Sequence, residues 1–360
     1  MKSKTKLPFV SIVIVNYNGK TFMKDCFESL RKTNYPKDKY EIIMGDNGST
    51  DDSIEFTKRY YKEIKVLEFK ENYGFCKGNN LCVKETKGDY IVFLNNDTIV
   101  RKDWLINLVT PVISEKGVIS AGCKMLKIYK INGKNIIDFA GGKFTYDMNY
   151  YEGVNEEDNE KYDKQKYTGF GCGAGVIVDK KFFIDNGGFD EYYFGGGEEV
   201  ELGLRAWEQG YKVLYVPSST IIHRRGETFK GMNYFATAMW TKSIFYYILK
   251  NYEVKNIIRY MLESIFFVHL AKIIFFLKRG DFKGAFSVVK GIYWFLRDII
   301  RKGTLKRIKE QRKLIKKYKK LSDNQIRDLG LNTTFMERIK YRMKNSKMVD
   351  PIKVDEVMKK

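Results

Sequence analysis

Asn95, Asn96 and Asp97 present three oxygen-bearing side chains in succession, directly after five apolar or aromatic residues, Tyr90–Leu94. A carboxylate with two amide neighbours at the end of a buried strand is placed to hold a divalent cation against a diphosphate. Mg2+ and Mn2+ prefer oxygen ligands and commonly share them with phosphates. Taken alone the tripeptide carries little, because a polar turn between a strand and a helix has the same composition. A second group is Glu198-Glu199, which follows Gly195-Gly196-Gly197. A general base must be a carboxylate or imidazole within hydrogen-bond reach of the proton it removes, and a glycine triplet lets one glutamate approach a substrate closely. Acidic residues also suit a helix amino terminus, where the dipole stabilises them by about 0.3–1 kcal/mol; that accounts for one of the two. His223, one of two histidines, stands just past a strand end, although a lone histidine is commonly only a packed or surface residue.

The elements that must position these groups follow from the hydropathy pattern. Val10–Val15 is a buried-strand run ending in Asn16-Tyr17-Asn18-Gly19, Tyr40–Met44 ends in Gly45-Asp46-Asn47, and Ile64–Phe69 ends in Lys70-Glu71-Asn72. Unbroken apolar runs of this length mark strands covered on both faces. The stretches Lys20–Lys32, Asp51–Tyr61 and Phe75–Thr86 are each long enough for one helix. Alternation of strand and helix predicts right-handed crossovers and a mainly parallel sheet. Ligands of open α/β sheets sit outside the carboxyl ends of the strands. Four successive strands with Asn, Asp or Tyr at that end therefore imply one shared nucleotide site.

Further along, the pattern predicts a helix over Lys102–Ser114, a short strand at Val118–Ala121, and a hairpin or irregular excursion over 122–150. Tyr151–Lys166 reads as a solvated polar loop. Gly169–Gly175 precedes the strand Val176–Val178, the wrong order for a dinucleotide fingerprint, so Gly173 and Gly175 read as places where backbone approaches a ligand. Lys212–Val216 is the last strand. From residue 233 the chain turns rich in Phe, Tyr, Ile and Leu. Ile257–Leu277 is long enough to span a membrane but contains Arg259, Glu263, His269 and Lys272. Charges near a span's centre cost about 2.5–3.5 kcal/mol each, so an interfacial amphipathic helix fits better.

The 360 residues, 44% hydrophobic and 15% aromatic, exclude a disordered chain. The net charge is +21, and residues 301–360 hold 20 Lys and Arg against 7 Asp and Glu. Such a tail is drawn to anionic lipid by about 1 kcal/mol per basic residue. The five cysteines show no C-x-x-C spacing, which suits a reducing cytoplasm, and no apolar signal region precedes the first strand.

IVIVNYNGK, GDNGSTDDS, ENYGFCKGNN, FLNNDT, GFGCGAGVIVDKKFF and GGFDEYYFGGGEEVELGLRAWEQGYKV occur in an order that resembles family 2 glycosyltransferases of the GT-A fold, in particular the bacterial rhamnosyltransferase-like subgroup that builds surface polysaccharides. The resemblance covers about residues 8–230. It implies an α/β, Rossmann-like catalytic domain over 1–230 and a helical, aromatic and basic C-terminal region over 231–360 at the cytoplasmic surface of the inner membrane. It implies a nucleotide-sugar donor (UDP- or dTDP-sugar, rhamnose among the sugars), Mg2+ or Mn2+, a glycan or lipid-linked acceptor, and no nucleic-acid partner. On this sequence the implied donor-binding residues are Tyr17, Asp46, Asn72, Lys77 and Asn96, the metal residues Asp97 and His223. The catalytic base is Glu199, one methylene longer than the family's usual aspartate, with Glu198 and Glu201 as alternatives in the same helix. The reaction implied is inverting transfer.

Two other classes were weighed against this one. A nucleotidyltransferase would carry a glycine-rich basic loop after the first strand, whereas Asn16–Lys20 has one glycine and one lysine. A non-catalytic basic scaffold would mix Lys and Arg with aromatics on the sheet, whereas here the excess charge lies in the tail.

Overall fold

The computed structural model describes residues 6–224, 233–301 and 303–331. Its strands are β1 (Val10–Asn16), β2 (Tyr40–Asp46), β3 (Ile64–Glu68), β4 (Tyr90–Leu94), β5 (Thr98–Val100), β6 (Val118–Ile131), β7 (Lys134–Phe139), β8 (Gly142–Thr145), β9 (Met148–Tyr151), β10 (Lys166–Tyr167), β11 (Gly175–Asp179) and β12 (Lys212–His223). The helices are α1 (Lys20–Arg31), α2 (Ser53–Tyr60), α3 (Gly74–Val83), α4 (Trp104–Ser114), α5 (Lys180–Asp185), α6 (Glu198–Glu208), α7 (Asn233–Asn251), α8 (Val254–Glu263), α9 (Ala271–Lys278), α10 (Phe282–Arg301), α11 (Thr304–Tyr318) and α12 (Asp323–Asp328).

The strands expected at the head of the chain form a parallel block in the order β3-β2-β1-β4. The carboxyl ends of these four strands lie side by side, as right-handed crossovers dictate. Beyond β4 the sheet becomes mixed: β11 runs antiparallel to both β4 and β6, while β12 runs parallel to β6. The single short strand expected at 118–121 is instead the start of a fourteen-residue strand, β6, paired with β7 and β12. The excursion over 122–150 is a hairpin (β6–β7) followed by a two-stranded ribbon (β8–β9). The stretch expected as a polar loop is tied down by β10 and by the buried Tyr162, whose carbonyl accepts from the Tyr215 hydroxyl at 2.8 Å.

One hydrophobic cluster runs from Val10 in β1 to Leu331 and includes Ile244–Ile248 of α7. Helix α7 packs against α10 and α11. A charge network ties it to α6: Lys250 lies 2.6 Å from Asp190 and 3.0 Å from Glu201, and Arg307 of α11 reaches the other oxygen of Asp190 at 2.5 Å. Burial alone would raise the Asp190 carboxyl, but Lys250 and Arg307 outweigh it and hold the group well below the usual carboxylate range. All five cysteines are free and buried.

Helices α8 and α9 join through a π-helical segment, Ser264–Leu270, into one continuous helical run. The run Val254–Lys278 is long and apolar enough to cross a membrane by length and composition. Its face bearing Ile258, Leu262 and Phe266 points to solvent. Helix α10 adds a parallel feature: Phe282, Phe286, Val289, Tyr293, Leu296 and Ile300 recur at steps of four and three and are all exposed, Ile300 by 80%. The basic tail from residue 332 on and the expected boundary at 230/231 lie outside the described residues.

Candidate active site

The ends of β1, β2 and β4 build a polar floor. Parallel register sets Asn16 beside Asp46, and Asn16 Nδ2 donates to Asp46 Oδ2 at 2.8 Å. Ser49 donates its backbone N–H to Asp46 Oδ1 and its hydroxyl to Oδ2, both at 2.8 Å. Asn96 Nδ2 donates to Asn16 Oδ1 at 2.6 Å. Asn96 and Asp46 are thus brought together through Asn16, a residue whose role sequence reasoning missed. Gly19 is required beneath this network, since a Cβ there would fall 2.1 Å from Asn96 Nδ2. Tyr17, half-buried, follows β1 directly. On the β3 side, Asn72 Oδ1 accepts from the Gly74 N–H at 2.9 Å, and Lys77 Nζ lies 3.8 Å above the Tyr73 ring.

Asp97 and His223 meet because of strand pairing. β5 runs antiparallel to the end of β12, setting His223 opposite Thr98, and the Arg224 N–H donates to the Asp97 carbonyl at 3.1 Å. His223 Nε2 then lies 3.4 Å from Asp97 Oδ1, an oxygen that is buried without a hydrogen-bond partner. On the other side of the ring, Nδ1 hydrogen-bonds Asp138 Oδ2 at 2.9 Å. Burial disfavours the imidazolium, yet the hydrogen bond to Asp138 and the nearby Asp97 carboxylate outweigh it and lift the His223 pKa to about 9. An orphaned carboxylate oxygen facing an imidazole nitrogen is a donor pair that fits a divalent cation. No three His, Cys, Asp or Glu side chains cluster to hold a metal among the described residues. The remaining positions would fall to phosphate and water.

Glu198 and Glu199 open α6, as expected. Gly196 and Gly197 precede them with φ of 94° and 97°. They are closely packed rather than flexible: a Cβ on Gly196 would lie 2.9 Å from the Trp240 ring, and one on Gly197 only 1.9 Å from Met148 Cε. The triplet therefore fixes the turn. Glu199 Oε1 accepts from the Tyr151 hydroxyl at 2.7 Å, and Oε2 of each glutamate is buried without a hydrogen-bond partner. Burial, and then the adjacent Glu199 charge, push the Glu198 carboxyl well above the usual carboxylate range. Glu201 is excluded as a base. It is fully buried and paired with Arg205 at 2.7 Å and Lys250 at 3.0 Å.

Of the two glycines read as ligand approaches, Gly173 faces Glu198, whose Oε1 would lie 3.8 Å from an added Cβ. Gly175 serves packing instead, because a Cβ there would meet Ile221 at 2.6 Å. The β7–β9 segment forms a wall shared by both centres. Phe139 follows Asp138 directly, and its ring lies edge-on to that of Tyr151 at 5.2 Å.

A mixed sheet of this order, with acidic and amide groups at the carboxyl ends and a carboxylate pair facing them, defines a GT-A nucleotide-dependent transferase fold. Residues 11–182 match the model of glycosyl transferase family 2, and the match marks the chain as a glycosyltransferase. Rhamnosyltransferase WbbL of Escherichia coli (strain K12) is 26% identical over 262 residues, covering 69% of this chain and 95% of the relative. The crystal structure of GalNAc-T7 with UDP, GalNAc and Mn2+ superposes with a TM-score of 0.52 at 24% identity, covering 61% of this chain and 44% of that one. TarS of S. aureus (residues 1–349) with UDP-GlcNAc gives 0.54 at 16% identity, over 80% and 81% of the two chains.

Proposed function

We propose that this glycosyltransferase is inverting and moves a sugar from a UDP- or dTDP-sugar, rhamnose among them, to a hydroxyl of a glycan or lipid-linked acceptor. The reaction would serve cell-surface polysaccharide assembly at the cytoplasmic face of the membrane. The observation that carries the reading is the pairing of two centres: a donor end built on Asp97 and His223, and a carboxylate pair in the first turn of α6, one member of which accepts from the Tyr151 hydroxyl. The UDP and Mn2+ bound to GalNAc-T7 support a uridine nucleotide and a divalent cation, the UDP-GlcNAc bound to TarS supports the same donor class, and the activity in the name of WbbL supports rhamnose.

In this reading Tyr17 and Asp46 contact the base of the nucleotide, and Asn16 holds Asp46 and Asn96 in register. Asn72 and Lys77 border the donor on the β3 side. Asp97 and His223 would hold Mg2+ or Mn2+, which when bound supplies Lewis-acid stabilisation of the diphosphate charge on the order of several kcal/mol. Glu199, oriented by the Tyr151 hydroxyl, removes the proton of the acceptor hydroxyl as its oxygen attacks the anomeric carbon from the face opposite the diphosphate. Attachment to the membrane is supported by the exposed apolar rows of α8 and α10 and by the basic residues after 301.

Calorimetric titration with UDP and dTDP, each with and without Mn2+, tests the donor end. Wild-type protein is expected to bind one nucleotide in a Mn2+-dependent manner, and Asp97→Ala to lose that dependence. Binding of neither nucleotide by the wild type would refute the reading.

A further inference from the structure

The β6–β7 hairpin is irregular at two places, one of them at Asp138. Met125 pairs with Phe139 and the next residue, Leu126, with Ile137, so Asp138 is an extra residue on β7 with no partner position on β6. A bulge of this kind breaks the alternation of the strand and re-aims one side chain. Here that side chain is a carboxylate, 2% exposed, inside the apolar run Ile136–Ala140. A buried carboxylate without compensation is strongly disfavoured. It reaches across β6, which separates β7 from β12, to His223 Nδ1 at 2.9 Å. The geometry on the two sides of the imidazole differs: Nδ1 makes a hydrogen bond, whereas Nε2 stands 3.4 Å from an Asp97 oxygen that remains unpartnered.

We propose that Asp138 is a positioning residue that accepts the Nδ1 proton of His223 and so, in the neutral imidazole that holding a cation requires, aims the Nε2 lone pair toward Asp97, completing the cation-holding end of the site. The proposal rests on the reading of Asp97 and His223 as cation ligands given above. A carboxylate behind a ligating histidine fixes its tautomer and ring orientation and raises its basicity, and loss of such a partner typically lowers metal affinity about 10–100-fold. The bulge supplies what a regular hairpin could not, since Asp138 would otherwise follow the alternation of its neighbours. A purely structural role, in which Asp138 only neutralises a buried imidazolium, would make its effect independent of the cation.

Mn2+ affinity, read by electron paramagnetic resonance of free Mn2+ with UDP or dTDP present, separates these cases in a double-mutant cycle. Asp138→Asn is expected to weaken Mn2+ binding about 10–100-fold, with metal-free thermal unfolding and near-UV circular dichroism confirming the fold. Asp138→Glu, which keeps a carboxylate, should recover part of the loss. In a His223→Gln background Asp138→Asn should add no further loss. Unchanged Mn2+ affinity in Asp138→Asn, or losses that simply add in the double variant, would overturn the proposal while leaving the metal reading intact. Absence of Mn2+ binding by the wild type would overturn both. Asp138→Ser serves the same cycle if Asp138→Asn does not fold.

Discussion

Glu198 and Glu199 are adjacent, both buried and of one chemical type, yet only Glu199 accepts from the Tyr151 hydroxyl. Glu199→Gln keeps the length of the side chain and an oxygen for the Tyr151 hydroxyl, and removes the charge that would take a proton. A positioned general base contributes about 10²–10⁴-fold, which at about 1.36 kcal/mol per factor of ten is roughly 2.7–5.5 kcal/mol of barrier. Glu198→Gln leaves Glu199 as the one carboxylate of the pair, still bonded to the Tyr151 hydroxyl. It is expected to lower turnover less than about tenfold. The assay is release of nucleoside diphosphate from the donor in the presence of native membranes as the source of acceptor, with nucleotide affinity measured in parallel. Turnover should fall by the larger factor in Glu199→Gln at unchanged nucleotide affinity. A larger loss in Glu198→Gln would reverse the assignment. A fall in nucleotide affinity that tracks the fall in turnover would mean that Glu199 supports the fold rather than the chemistry.

Two further outcomes follow from the helical region. Asp190 is held by Lys250 and Arg307, and removing one member of such a buried set costs about 3–5 kcal/mol; Asp190→Asn should destabilise the protein by that order in urea unfolding at pH 7. Because the folded carboxyl titrates below its unfolded value of about 3.9, its contribution is complete above that value and lost as pH falls through the folded one. The gap between wild type and variant should therefore narrow only below about pH 4. On the membrane side, a Phe266→Ser, Phe286→Ser double variant removes two exposed rings from the α8–α10 face. Full burial of each is worth about 1.5–3 kcal/mol, so co-sedimentation with phosphatidylglycerol vesicles should weaken by about 100-fold or more. Equal sedimentation of variant and wild type would remove that face from the membrane contact.

What could be read in advance follows from how local each signal is. The apolar runs of β1 to β4 and the polar residues that end them lie within a few positions of each other, so both the parallel block and its edge were legible. Asp97, Asn96 and Asp46 could be placed for the same reason. Helix α6 was legible as an element but not in its surroundings. Its pattern of Glu201, Arg205 and Glu208 looks like a solvated face, yet all eleven residues are buried, because Lys250 and Lys319, more than forty and more than one hundred positions later, come back to pair with it. Those same pairings remove Glu201 from the candidates for the base, a choice that no local pattern could make. The mixed half of the sheet was obscured in another way. The long β6 shows no alternation over 118–126 because every residue there is buried, and a bulge breaks the count of β7 at Asp138. Yet Asp138 did leave a signal, as the single acid in Ile136–Ala140. A carboxylate in an apolar strand must find a buried donor, and with only two histidines in the chain an imidazole already suspected of holding a cation was a natural place to look.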